Sequence, residues 1–168
     1  MNKKNISRHI CFGGILTAAA VLFQSAPVFL PAIGLALSPL STLPVAMAAV
    51  SNIYVGFAVF FSSALILITI SVQETIILLF TTGLLGLVIG TLLYRKGVLI
   101  SILFSSIALS LGIMFLTYII NIFSFVDLTS SLSMPLVLLI FFLFSLVYSI
   151  IWNVFFRKFM KYLNYYKS

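Results

Sequence analysis

Only two acidic residues, Glu74 and Asp127, occur in 168 residues, and charged residues of both signs make up 7% of the chain. An ordinary soluble domain carries about a quarter. A soluble chain of about 150 residues still leaves roughly 30% of its unfolded surface exposed, so a content of 63% hydrophobic residues points to lipid as the solvent over most of the surface. The single cysteine, Cys11, excludes an intrachain disulfide and reads as a small apolar residue. The one histidine, His9, has no carboxylate near it in sequence. A metalloenzyme or membrane hydrolase needs a cluster of His, Asp, Glu or Cys, so no catalytic residue, metal site or cofactor is expected. No GxxxxGK[ST] phosphate loop occurs, which argues against self-fuelling with ATP. The membrane interior is expected to hold no acid or base near the middle of a span. That speaks against an autonomous ion-driven transporter, although sodium sites built from backbone and hydroxyl oxygens remain compatible with the many serines and threonines.

What is present is a pattern of positive charge. The basic residues fall into three clusters, Lys3, Lys4 and Arg8, then Arg95 and Lys96, then Arg157, Lys158, Lys161 and Lys167. The net charge of +7 does not read as a nucleic-acid footprint, because these residues flank apolar runs rather than lining a polar face. Lys and Arg near span ends stay on the cytoplasmic side, so three clusters on one side require an even number of crossings between each pair.

A span needs about 20 residues. The stretch between Arg8 and Arg95 accommodates four: Ile10 to Gln24, Pro31 to Val50, Tyr54 to Val72 and Thr75 to Tyr94, with a turn at Ser51-Asn52. Two more, Val98 to Phe123 and Met134 to Phe156, lie between Lys96 and Arg157. The fold class is therefore an all-α integral membrane protein, a six-helix bundle with both termini cytoplasmic. Residues 1–9 form a basic N-terminus, 10–156 the membrane domain and 157–168 a basic aromatic tail. The first span is read as uncleaved, since no small-x-small site follows it. Glu74 and Asp127 fall in loops predicted extracellular, and Tyr94, Trp152 and Tyr162 at cytoplasmic boundaries, where aromatic rings prefer to lie. Phe155, Phe159, Leu163 and Tyr166 share a helical spacing, which reads either as a helix lying against headgroups or as a plain basic tail.

Three features invite functional readings. Pro27 and Pro31 bracket a predicted loop from Gln24 to Pro31. Pro39 and Pro44 lie inside span two, where proline removes a backbone hydrogen bond that Ser38, Ser41 or Thr42 could replace. The result is either a permanent kink or the wall of a ligand cavity under a lid. Gly83, Gly86 and Gly90 share a face of span four, and Gly14 and Ala18 are four apart in span one. Small-residue faces bring membrane helices together, which suggests internal packing for span four and docking to another protein for span one. Finally, Gln24, Gln73, Glu74, Tyr118, Asn121 and Asp127 lie near the predicted extracellular ends as candidate small-molecule ligands. Each of them also reads as a loop residue meeting water.

The small-residue first span, the Pro-bounded loop after it and the six-span layout with both termini inside resemble the substrate-capture subunits (S components) of energy-coupling-factor vitamin transporters. Gly83-Leu84-Leu85-Gly86-Leu87-Val88-Ile89-Gly90 with Arg95-Lys96 resembles an uncharacterised bacterial multi-pass family related to them. The resemblance implies an outward-facing small-molecule site in the cell membrane, with a transmembrane coupling subunit and ATPases as partners. In that family an Ala-x-x-x-Ala pattern in span one docks the coupling subunit, and Gly14-x-x-x-Ala18 is the nearest match here. The rival expectation is a non-transporting assembly protein that packs against another membrane protein; a small channel is a third. Membrane lipid is the surrounding medium in every case, and nucleic acid is not a partner.

Overall fold

The computed structural model describes the backbone of residues 3–93, 95–120 and 134–165. Tyr94, Asn121, Asp127, Tyr166 and the five–six connection lie outside the described residues, which contain no strand. Six helices are long and apolar enough to cross a membrane: Ser7–Phe29, Pro31–Ser51, Ile53–Ile70, Val72–Leu92, Val98–Tyr118 and Met134–Tyr162. These are spans one to six below. Their elements are α1 (Lys3–Phe29), α2 (Pro31–Leu37), α3 (Thr42–Ser51), α4 (Ile53–Ile70), α5 (Val72–Ile77), α6 (Gly83–Leu92), α7 (Val98–Phe115) and α8 (Met134–Tyr165). Span two is helical throughout, with α2 and α3 joined by the 3-10 turn Ser38–Ser41.

The connections are shorter than the sequence suggests. The expected loop from Gln24 to Pro31 does not form: α1 carries Pro27 inside it and runs to Phe29, and Leu30 alone makes the turn. Pro31 opens α2, where its missing N–H is no loss. The reversal is tight enough that a Cβ on Gly34 would collide with the Ala26 backbone. At the next turn Asn52 caps α4, its Oδ1 accepting from the Tyr54 N–H at 2.9 Å, so the Ser51-Asn52 turn is present. At the third, Ser71 is the sole connecting residue, and its hydroxyl accepts from the Glu74 N–H at 3.3 Å. Between spans four and five Gly97 adopts φ +94, a conformation that favours glycine.

Spans one to four make the inner bundle. One core cluster joins Leu16 and Ala20 of α1 to Val45 and Ala48 of α3, Val59 and Phe60 of α4 and Leu87 of α6. A second joins Ala46, Leu85 and Ile89 to Leu109, Trp152 and Phe156. Met47 packs against both. The glycine face of span four lies against span two: a Cβ on Gly86 would meet the Thr42 carbonyl oxygen at 2.7 Å, and one on Gly90 would collide with the Ala46 carbonyl oxygen. Span four therefore packs internally, as its spacing suggests. Trp152 is only 8% exposed and belongs to the core rather than to an aromatic belt, because the helix continues well past it. Thirteen further residues of unbroken α8 follow Trp152 to Tyr165, with Arg157, Lys158 and Lys161 exposed along that extension.

Spans five and six are held together by a polar ladder. Ser101 Oγ donates to Asn153 Oδ1 at 2.6 Å, Ser149 Oγ donates to Ser105 Oγ at 2.7 Å, and Asn153 Nδ2 reaches the Ser149 carbonyl at 2.8 Å. All four residues are fully buried. In an apolar surrounding such groups must satisfy one another, and here the ladder is neutral and closed.

The pairing places the basic clusters together. Gly13 faces Val55 and Val59, while Leu93, Val98, Phe156 and Met160 meet in one cluster. Arg8, Arg95, Lys96, Arg157 and Lys158, all exposed, therefore lie toward one end of the bundle. The Leu30 and Ser71 turns lie at the other.

Candidate functional site

A buried polar cluster sits on the half of the bundle away from the basic residues. Its centre is Gln24 of α1, 0% exposed. Gln24 Nε2 donates to Glu74 Oε2 at 2.8 Å. Gln24 Oε1 accepts from Ser41 Oγ at 2.7 Å and from Thr82 Oγ1 at 2.8 Å. One side chain thus ties span one to spans two and four.

Two departures from regular helix bring these groups together. Pro39 and Pro44 have no N–H, so the carbonyls of Leu35 and Leu40 lose their α-helical donors. The backbone tightens into the 3-10 turn Ser38–Ser41, and the Thr42 N–H turns to the Leu40 and Pro39 carbonyls. The serines and threonine there do not repair the freed carbonyls in the way expected: Ser41 turns to Gln24 instead, and Thr42 Oγ1 is buried with no hydrogen-bond partner. Opposite it, span four widens into a π turn over Leu78–Thr82, closed by the Gly83 N–H on the Leu78 carbonyl. Thr81 Oγ1 takes the Ile77 carbonyl at 2.6 Å, and Thr82 is left to face Gln24. Single π turns in α-helices are frequent at functional sites.

Glu74 is not in a loop. It is the third residue of α5 and 8% exposed. Ser71-Val72-Gln73-Glu74 has the spacing of a capping box, in which the glutamate side chain turns back to the cap N–H. Here the Ser71 N–H is already taken by the Leu67 carbonyl, and the Glu74 carboxylate reaches Gln24 instead. From sequence Glu74 is expected in water, because charge normally marks a loop; a one-residue turn leaves it no loop to occupy.

The other predicted ligand residues do not converge with it. Gln73, next to it in α5, is exposed. Tyr118, 41% exposed, lines a groove of about 590 Å³ between spans four and five with Phe80, Leu84, Leu111 and Phe115. That groove is walled by apolar side chains, and the Phe80 and Phe115 rings stack at 4.2 Å. Asn121 and Asp127 lie outside the described residues. Sequence reasoning named Gln24 and Glu74 but missed Thr82 as a partner of Gln24, and it gave Ser41 a different task. The four-residue spacing of Ser101 with Ser105 and of Ser149 with Asn153 was a readable sign of the second polar contact.

Among helical glycines, Gly14 alone would place a Cβ with nothing of the chain within 4 Å. Gly14 and Ala18 are both exposed, on the same side of α1 as Cys11 and Ile15. No cluster of three or more metal-binding side chains is present among the described residues. Comparison with models of protein families, with curated proteins and with solved structures yields no match to this chain. Fold and site define a helical bundle with six helices of membrane-crossing length and a buried polar centre shared by spans one, two and four.

Proposed function

We propose that the chain is a multi-pass protein of the bacterial cell membrane, with both termini cytoplasmic, that captures a small molecule and takes its energy from partner subunits. The partners would be a transmembrane coupling subunit and ATPases, the arrangement of the S components it resembles. The observation that carries this reading is the Gly14–Ala18 face. Every other helical small-residue contact of the glycines is used within the bundle, whereas this one is left open on an exposed side, where a second helix backbone could approach closely. The enclosed polar centre on the far half of the bundle supports a recognition role. The clustering of Arg8, Arg95, Lys96, Arg157 and Lys158 toward one end supports the orientation, since such residues remain cytoplasmic.

Affinity-tagged protein from its native membrane should bring down an ATPase and a second membrane protein, and a captured small molecule should raise its thermal midpoint. Recovery of the chain without either would defeat the reading. A second reading, a non-transporting assembly protein, uses the same exposed face. It predicts a membrane partner with neither an ATPase nor ligand-dependent stabilisation. Orientation has its own check: reporters fused after Gly97 and after Asp127 should report opposite sides of the membrane, and agreement between them would rule out six crossings.

A further inference from the structure

We propose that Glu74, Gln24, Ser41 and Thr82 form a binding site for a monovalent metal cation of sodium size. The inference stands on the cluster itself and holds whether the chain captures a substrate or only assembles with a partner.

The hydrogen-bond inventory of the cluster is lopsided. Each hydroxyl has one proton, and both Ser41 and Thr82 spend it on Gln24 Oε1. Neither hydroxyl oxygen accepts a hydrogen bond among those described, so the lone pairs of both are open to a ligand. Gln24 Nε2 supplies one bond to Glu74 Oε2, and the carboxylate has room for several more acceptances. Next to Ser41, Thr42 Oγ1 is a further buried oxygen without a partner. Oxygen acceptors thus outnumber N–H and O–H donors around a carboxylate that is largely withdrawn from water.

Among the described residues no basic side chain answers it. No Lys or Arg occurs between Arg8 and Arg95, and the described basic side chains gather toward the opposite end of the bundle. Buried charges are paired or coordinate metals, and an ionisable residue within a span is by default a functional group with a partner to be named. A single carboxylate among neutral amide and hydroxyl oxygens balances one positive charge. A divalent ion would leave an excess charge that nothing nearby offsets.

The backbone around the cluster supports the same ligand. A 3-10 turn in span two and a π turn in span four lie beside each other at these residues. Interrupted helices at membrane depth are tolerated where they are buried in protein or line a cavity, and unwound carbonyls and hydroxyls are the donors that coordinate sodium in transporters. The polar ladder of Ser101, Ser105, Ser149 and Asn153 makes the contrast. It contains no charge and sits on regular α7 and α8, so it is a packing device. Entry is short, because Glu74 lies three residues from the Ser71 turn.

The test is binding of radioactive sodium ion to the full chain purified in detergent, at fixed pH and fixed ionic strength. Saturable binding of one ion per chain is expected, displaced by unlabelled sodium, more weakly by potassium and not by choline. Sodium at tenfold over its dissociation constant should raise the thermal midpoint by roughly 3–6 °C relative to choline. Glu74→Gln should weaken binding about tenfold or more, since it removes the one charged ligand among the described residues, and Thr82→Val should weaken it less. Ser149→Ala, in the ladder, should bind sodium as the unaltered chain does. Absence of saturable sodium binding by the unaltered chain overturns the proposal regardless of how the variants fold. Equal stabilisation by sodium, potassium and choline, or undiminished binding in folded Glu74→Gln, overturns it as well.

Discussion

Gly90→Leu should yield little or no folded protein, while Gly14→Leu should fold as the unaltered chain does and lose only its partner. A Cβ at Gly90 collides with the Ala46 carbonyl oxygen and would lie 2.7 Å from the Ala49 methyl group, so the obstruction includes backbone and cannot be cleared by a rotamer change. Overpacking of a well-filled contact costs about 1–3 kcal/mol and occasionally more. Leucine at this position would drive α6 from α3 and is expected at or above the top of that range. A Cβ at Gly14 would meet no packed neighbour within 4 Å, and replacing glycine in a helix favours folding by up to about 1 kcal/mol. Yield and monodispersity after detergent extraction measure the first effect; co-purification of a membrane partner measures the second. Normal folding of Gly90→Leu would contradict the packing of span two on span four. Retention of the partner by a Gly14→Leu, Ala18→Leu variant would remove the docking role of α1.

The second large effect is expected at Gln24. Gln24→Leu fills nearly the same volume but strips three hydrogen bonds at once. Glu74, Ser41 and Thr82 are left buried without it, and a buried polar group without a partner costs about 1–3 kcal/mol. Single side-chain hydrogen bonds between membrane helices average only about 0.6 kcal/mol, so the loss should come chiefly from the stranded groups. A destabilisation of about 2–4 kcal/mol is expected, seen as a lower thermal midpoint. Gln24→Glu should not rescue it, because a second carboxylate would face Glu74 with no basic side chain beside them among the described residues. A Gln24→Leu midpoint equal to that of the unaltered chain would mean that the network contributes nothing to stability.

Much of the architecture was legible from charge and the length of the apolar runs. The basic clusters and the apolar run lengths give six helices, and the boundaries at Pro31, Ser51 and Met134 fall within a residue of those observed. Composition could not reveal how short the turns are. A reversal through Leu30 alone depends on Gly34 letting two backbones touch, which is a property of the pair and not of either segment. For the same reason the proposed lid from Gln24 to Pro31 dissolves into helix, and with it one of the features on which the S-component resemblance rests. Glu74 was misjudged because a charge at the edge of an apolar run looks the same whether it faces water or an amide. Its partner, Gln24, lies 50 residues away, beyond any local pattern. Thr82 came into place through a π turn, which adds a residue to one helical turn and so shifts the face that a regular spacing would assign.

The polar network has one further property that concerns synthesis rather than stability. Gln24, Ser41, Glu74 and Thr82 all lie in the first 82 residues, and the glycine contacts of α6 with α3 are complete by residue 90. Chains acquire structure from the N-terminus as they emerge from the ribosome. The first four spans therefore hold every partner of their one acid before the fifth is translated, and α7 and α8 then complete the second core cluster against Ala46, Leu85 and Ile89.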